Sequence, residues 1–214
     1  HGSSWSKVIP LLQAQGYHVV AVQNPMTSLY DDVAATARAI ENIPGKVVLV
    51  GHSWAGAVIT TIGYKKNVAA LVYVASLAPS EGDSFLSLMA SQAPTPGTTH
   101  TVADRFGFLT LTAQGMAEDF APDLSSAETK VMAITQGPAS LKAFGTKVSV
   151  AAWRTKPSWA IIADQDRMIS PTLEASSAQK INAHVTHVNS SHVPMLSHPD
   201  QVAAVILDAA RQVE

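Results

Sequence analysis

The sequence contains no cysteine among its 214 residues. Disulfide bonds, zinc sites built from thiolates and a cysteine nucleophile are therefore excluded for this chain. No run of about 18 apolar residues occurs, so no segment of the sequence has the length and character of a transmembrane helix. Charged residues make up only 14% of the chain and the formal net charge is −2. Nothing in this balance favours a nucleic acid or an anionic membrane as a partner.

Apolar residues, in contrast, make up 47% of the sequence, which is typical of a globular protein. A length of 214 residues suits one domain with a sizeable core, and we expect a single domain over residues 1–214. Composition leaves the compartment and the oligomeric state open. A cytoplasmic location is favoured over a periplasmic or secreted one, and we expect a monomer or a homodimer.

Short apolar stretches alternate with amphipathic ones along most of the chain. The stretches that predict strands are 18–22, 46–51, 68–75, 159–163 and 183–188, and those that predict helices are 28–42, 54–64, 171–182 and 199–213. The strand at 46–51 is nearly all apolar, as expected where helices cover both faces of a parallel sheet. The alternation predicts an α/β fold with a mostly parallel, doubly wound sheet.

The alternation stops between residues 80 and 156. Proline and glycine interrupt this stretch repeatedly, and we predict a helical insertion that acts as a lid or cap. All five phenylalanines of the protein lie in it. We expect a substrate pocket lined by His52, Phe85, Phe106, Phe108 and Phe120. The alternative is that these aromatic side chains form only the hydrophobic core of the insertion.

The segment GHSWAG at residues 51–56 carries the strongest chemical signal. It lies directly between a predicted buried strand and a predicted helix, which is the setting of a nucleophile elbow. There Ser53 is the nucleophile and the N–H of Trp54, at the start of the helix, donates to an oxyanion. The pattern usually ends in glycine, where this sequence has Ala55. The alternative is a strand-to-helix turn in which the serine only caps the helix.

A serine hydroxyl needs a base to take its proton, and the base needs an acid to orient it. His192 lies in a loop after the strand predicted at 183–188, and Asp166 lies in the turn after the strand at 159–163. The order serine, acid, histidine fits this fold. Asp164 is the rival acid, and an ordinary loop position is the alternative for His192. Neither a metal-binding spacing nor a glycine-rich phosphate loop occurs, so we expect no metal and no cofactor.

Four segments resemble one family of α/β hydrolases that includes many small bacterial esterases and is similar to plant methylesterases and hydroxynitrile lyases. They are GSSWSKVIPLL at 2–12, GHSWAG at 51–56, LVYVA at 71–75 and HVPML at 192–196. The resemblance implies the α/β-hydrolase fold, a Ser53–His192–Asp166 triad and a small-molecule ester substrate. The lyases carry a lysine directly after the catalytic histidine, where this chain has Val193, so ester hydrolysis is favoured.

Members of the family begin with a strand and an H-G-x-x loop whose backbone supplies a second oxyanion donor. His1-Gly2 lies too close to Trp5 to be that loop. We therefore expect the first strand and the second donor to lie upstream of residue 1. Two other functions stay open at this point: a lyase or lactone-opening enzyme with the same triad, and a non-catalytic ligand-binding protein on the same scaffold.

Overall fold

A computed structural model describes residues 2–214; His1 lies outside the described residues. Strands in this range are β1 (Val47–His52), β2 (Val68–Val74), β3 (Thr101–Ala103), β4 (Phe108–Leu111), β5 (Ala139–Ser140), β6 (Ser158–Ala163) and β7 (His184–Val188). Helices are α1 (Ile9–Gln13), α2 (Leu29–Glu41), α3 (Ala55–Ile62), α4 (Phe85–Ala90), α5 (Pro96–Thr99), α6 (Ala113–Gly115), α7 (Ser126–Thr135), α8 (Leu141–Gly145), α9 (Pro171–Lys180), α10 (Pro194–Ser197) and α11 (Pro199–Gln212). Gly2–Trp5 and Ala152–Arg154 are 3₁₀ turns, and Met116–Phe120 is a π-helical turn.

The main sheet is parallel, with four strands in the order β1-β2-β6-β7 within the described range. Alternate residues of β2 face opposite sides, because side chains of a strand alternate. Val72 and Val74 pack with α11, whereas Leu71 and Tyr73 pack in the layer that holds α2, α3 and α9. Helices thus cover both faces, and the predicted doubly wound α/β fold is confirmed.

The prediction of a strand at residues 18–22 is wrong within the described residues. These residues pair with no strand in the described range, and a strand needs a hydrogen-bonded neighbour. A cleft of about 370 Å³ is lined by Val20 and Val22 on one side and by Val48 and Val50 of β1 on the other. The strand that we expect upstream of residue 1 falls outside the described residues.

The stretch between β2 and β6, which we call the insertion (residues 80–156), holds α4 to α8, as the helical prediction required. It also holds a small antiparallel sheet, β3-β4-β5, that was not predicted. Its strands have only two to four residues, too few for a period-two pattern to be seen. Among residues 2–214, no helix combines the length and the apolar character needed to cross a bilayer.

Candidate active site

The turn between β1 and α3 holds Ser53 in a left-handed backbone conformation, with φ of 53°. Such a conformation is uncommon for a residue other than glycine and is held by its surroundings. The N–H of Ser53 donates to the carbonyl of Val74 in β2 at 3.1 Å. A Cβ atom on Gly51 would lie 2.8 Å from the carbonyl oxygen of Ala55, so the turn closes only with glycine there. The strand-to-helix turn is therefore as sharp as the sequence predicts.

Ser53, His192 and Asp166 form one continuous chain of hydrogen bonds. The Oγ of Ser53 lies 2.9 Å from Nε2 of His192, and Nδ1 of His192 lies 2.7 Å from Oδ2 of Asp166. His192 and Asp166 are buried, with exposed fractions of 1% and 6%. Because a carboxylate only accepts, Nδ1 carries the proton and Nε2 is free to accept one from the serine. The three residues come from three different loops at the carboxyl end of the sheet.

The backbone of the loop after β6 holds the carboxylate of Asp166 in place. Its Oδ1 accepts from the N–H groups of Met168 at 2.8 Å and Ile169 at 3.0 Å. Burial alone would raise the pKa of Asp166, but the nearby His192 and these hydrogen bonds hold it below its usual value. The rival Asp164 lies elsewhere, 2.7 Å from Nδ1 of the exposed His187. Of the two candidate acids, only Asp166 contacts the histidine of the site.

His52, the residue before the predicted nucleophile, makes a hydrogen bond to the backbone of His192, the predicted base. Its Nε2 donates to the carbonyl oxygen of His192 at 2.7 Å, and its ring lies 4.7 Å from the His192 ring. Burial, and then the neighbouring His192, lower the pKa of His52 to about 3. His52 is therefore neutral near pH 7 and serves as a fixed donor beside the base.

The backbone and the side chain of Trp54 have separate positions and partners in the site. Its backbone begins α3, so its N–H lies at the positive end of the helix, where an oxyanion is stabilised. Its indole is buried and donates from Nε1 to Oδ2 of Asp32 at 2.7 Å. The ring also packs against Phe85 and Phe144, with centroids 5.9 and 5.1 Å apart. The second oxyanion donor that we expect upstream of residue 1 lies outside the described residues.

A cavity of about 980 Å³ opens over Ser53 and His192. Three of the predicted pocket residues, His52, Phe85 and Phe120, line it. Its other apolar lining was not predicted and includes Met26, Met89, Leu109, Leu111, Met116, Met132, Phe144, Met168 and Ile169. Five of the six methionines of the sequence are thus on the cavity wall. Three of these methionines lie in the insertion. Because methionine is common on adaptable binding surfaces, the methionine content of the insertion could have predicted this part of the cavity wall.

Phe106 and Phe108 do not line the cavity, so their assignment to the pocket is wrong. Phe106 lies at the turn between β3 and β4, is 71% exposed and stacks with the guanidinium of Arg105. Phe108 begins β4, whereas the next three residues of the same strand, Leu109, Thr110 and Leu111, line the cavity.

In residues 2–214, no three side chains among histidine, aspartate and glutamate are grouped so that they could hold a metal ion.

Comparison with known proteins gives a consistent set of similarities. A family model described as "Alpha/beta hydrolase family" matches residues 1–205. The chain is 23% identical to a probable hydrolase from Phoma sp., over 96% of this chain and 92% of that protein. Among solved structures, a pyrethroid hydrolase from Sphingobium faniae is similar with a TM-score of 0.83 and 22% identity, covering 98% of this chain and 92% of that one. Polyneuridine aldehyde esterase is similar with a TM-score of 0.81 and 20% identity, covering 98% and 94%. At these identities the solved structures establish the fold alone.

Proposed function

Because the chain is a hydrolase of the alpha/beta hydrolase family, we propose that it cleaves carboxylic esters through an acyl-enzyme on Ser53. The observation that carries the proposal is the hydrogen-bonded chain from Ser53 through His192 to Asp166, with distances of 2.9 and 2.7 Å, at the floor of a largely apolar cavity. Nucleophile, base and orienting carboxylate are within hydrogen-bonding reach of one another, as a serine nucleophile requires.

In the first half of the reaction, the Oγ of Ser53 attacks the ester carbonyl carbon while Nε2 of His192 takes the serine proton. Asp166 holds the imidazole by its Nδ1–H and stabilises the imidazolium that forms. The Trp54 N–H donates to the oxyanion of the tetrahedral intermediate. Loss of one such donor typically raises the barrier by about 2.7–4 kcal/mol. The imidazolium then gives its proton to the leaving alcohol, and the acyl group stays on Ser53.

In the second half, water enters as the nucleophile and His192 takes one of its protons. The new tetrahedral intermediate collapses, Oγ of Ser53 leaves and recovers the proton, and the carboxylic acid is released. His52 stays neutral throughout, because burial and the neighbouring His192 lower its pKa to about 3, while its Nε2–H donates to the carbonyl of His192. It thereby fixes the backbone of the residue that moves the proton, without itself taking part in the transfer.

The wall of the cavity favours esters with a bulky, flexible apolar part. Leucine, phenylalanine and methionine side chains dominate the lining, and a volume of about 980 Å³ admits groups much larger than acetyl. Methionine side chains adapt to ligands of different shape, since they are unbranched and have several rotatable bonds.

Two other reactions would use the same residues. A lactone would be opened through the same acyl-enzyme. It differs from an open-chain ester in that the leaving alcohol stays covalently attached to the acyl group. Cyanohydrin cleavage has less support, because the residue after His192 is Val193, a buried apolar side chain with no charge to offer.

The test is labelling with a fluorophosphonate, followed by intact mass, on the wild type, Ser53→Ala and Ser91→Ala. Ser91 is the matched control, since it is an exposed serine whose hydroxyl donates to the carbonyl oxygen of Leu88 at 2.6 Å and which does not line the cavity. We expect one adduct on the wild type and on Ser91→Ala, and none on Ser53→Ala. Turnover of p-nitrophenyl esters should then rise from acetate to medium chain lengths. Absence of any adduct on the wild type would overturn the proposal and favour a ligand-binding protein.

A further inference from the structure

Glu174 is a carboxyl group buried beneath the proposed active site. It lies in the first turn of α9 with 2% of its surface exposed. Its Oε1 accepts from the N–H of Ala163, the last residue of β6, at 3.1 Å. Its Oε2 is fully buried, and no group in residues 2–214 donates a hydrogen bond to it. An ionised glutamate with an unsatisfied oxygen in the core would be costly, so this position calls for an explanation.

The group next to this carboxyl is the carboxylate of Asp166. The two side chains are close enough to hydrogen bond with each other. Two carboxylates cannot do so, because both only accept; one of them must carry a proton. A proton on Glu174 turns the unsatisfied oxygen into a donor and removes the repulsion between two buried negative charges.

The surroundings decide which carboxyl holds the proton. Asp166 faces His192 and two backbone N–H groups, all of which favour its charged form. Glu174 faces one backbone N–H and two negative neighbours, Asp166 and Asp164. Burial first, and then Asp166, raise the pKa of Glu174 well above its usual value. The proton therefore stays on Glu174 at neutral pH.

We propose that Glu174 is a positioning residue for the triad: its neutral carboxyl group donates a hydrogen bond to the Asp166 carboxylate and holds it towards His192. The role rests on the proposed function, since it acts through Asp166 and touches no substrate. With this donor, the carboxylate has four partners: Met168, Ile169, His192 and Glu174. A carboxylate accepts about four hydrogen bonds, so Asp166 is left no freedom to turn away from the imidazole.

Two substitutions separate the hydrogen bond from the volume of the side chain. Glu174→Gln keeps a donor for Asp166 in its NH₂ group and an acceptor for the Ala163 N–H in its oxygen. Glu174→Leu keeps a similar volume and removes the donor. We expect the Gln variant to retain kcat within about twofold and the Leu variant to lose about tenfold or more in kcat with KM little changed, since the missing bond orients the base and does not bind substrate. Glu41→Gln, at an exposed end of α2, is the matched control.

A second measurement reports the proton itself and does not need catalysis. A carboxyl whose pKa is raised on folding gives stability that is fully present below its unfolded pKa, about 4.3, and is lost as the pH rises through its folded value. Glutamine has no proton to lose. The Tm of Glu174→Gln should therefore gain on that of the wild type as the pH is raised from 4.5 to 9, while Glu41→Gln stays parallel to the wild type.

The outcomes separate the two proposals. If the wild type fails to label with fluorophosphonate but the Tm difference grows with pH, the proposed function falls while the protonated pair stands. If the Tm difference is constant between pH 4.5 and 9, Glu174 is ionised and the positioning role is overturned. Equal losses of kcat in the Gln and Leu variants would overturn it as well. Should Glu174→Leu not fold, the kinetic and Tm measurements on Glu174→Gln decide alone.

Discussion

The carboxylate of Asp123, in the insertion, accepts two hydrogen bonds from Ser191, the residue before His192. The backbone N–H of Ser191 donates at 2.9 Å and its hydroxyl at 2.5 Å. Burial alone would raise the pKa of Asp123, but these bonds hold it below its usual value, so it is ionised. The loop that carries the proposed base is thus fixed by a charge from the insertion.

A second aspartate of the insertion, Asp119, accepts a hydrogen bond from Arg167, the residue after the proposed acid. Oδ1 of the buried Asp119 accepts from Nε of Arg167 at 3.0 Å, and Arg167 directly follows Asp166. Oδ2 of Asp119 bonds Nδ1 of His100, also in the insertion. Residues 119–123 therefore contact the loops of both His192 and Asp166. The insertion covers the cavity and also supports the residues beneath it.

We predict that Asp123→Ala lowers kcat by about tenfold or more, because a hydrogen bond to a charged group contributes about 1.5–3 kcal/mol and here it holds the loop of the base. KM should change little, since Asp123 is not on the cavity wall. Steady-state kinetics on one p-nitrophenyl ester would measure both constants. Asp200→Ala, in the first turn of α11, removes a carboxylate away from the site and should leave kcat unchanged. Equal effects of the two substitutions would contradict the link between insertion and base.

We predict that Leu109→Trp shifts the preference of the enzyme towards short acyl chains. Leu109 lies on the cavity wall in β4, and a tryptophan there takes up space that a long chain would occupy. The ratio of kcat/KM for octanoate to that for acetate should fall by about tenfold, in the range that a few methylenes contribute in an apolar pocket. Phe106→Ala serves as control, because its exposed ring lies outside the cavity and the ratio should not move. An unchanged ratio in the Leu109→Trp protein would mean that the acyl chain lies elsewhere.

We predict that His52 makes the fold sensitive to acid. In the unfolded chain this imidazole takes up a proton below pH about 6.5, whereas in the folded protein it does so only at about pH 3. Protonation of His52 therefore favours the unfolded chain, and the free energy of unfolding decreases as the pH falls from 6.5 towards 3. His52→Gln cannot take up this proton, so its Tm should fall less steeply between pH 7 and 4 than that of the wild type. Parallel curves for the two proteins would show that His52 is protonated in the folded state.

The parts of the molecule with long periodic patterns were predictable, and those decided by neighbours distant in sequence were not. The buried strand at 46–51 and the GHSWAG turn lead directly to β1, α3 and the position of Ser53. Residues 18–22 have the composition of a strand but lack a hydrogen-bonded neighbouring strand in the described range, which composition cannot reveal. Similarly, aromatic content marked Phe106 and Phe108 for the pocket, although neither lines the cavity in the folded chain.

Some of the site contacts had no local signal at all. Asp123 and Glu174 belong to no motif in the sequence, and only the folded chain brings them against Ser191 and Asp166. By contrast, the GHSWAG segment at residues 51–56 was recognisable in the sequence, because a sharp turn between strand and helix needs small residues on both sides of the serine. Such a requirement can be tested directly.

We predict that Gly56→Ala destroys the elbow. A Cβ atom on Gly56 would lie 2.0 Å from Oγ of Ser76 and 2.3 Å from the carbonyl oxygen of Leu77, so the backbone must move. Ser76 also donates to the carbonyl of Ser53, and the displacement is therefore passed on to the nucleophile. We expect a loss of about 3 kcal/mol or more in the free energy of unfolding, together with loss of fluorophosphonate labelling. Gly137→Ala is the matched control, since its Cβ meets no atom within 4 Å and its φ is not in the left-handed region. That variant should unfold at the same urea concentration as the wild type or a slightly higher one, because alanine restricts the unfolded chain. A Gly56→Ala protein with wild-type stability and labelling would mean that the turn around Ser53 has room that the structure does not give it.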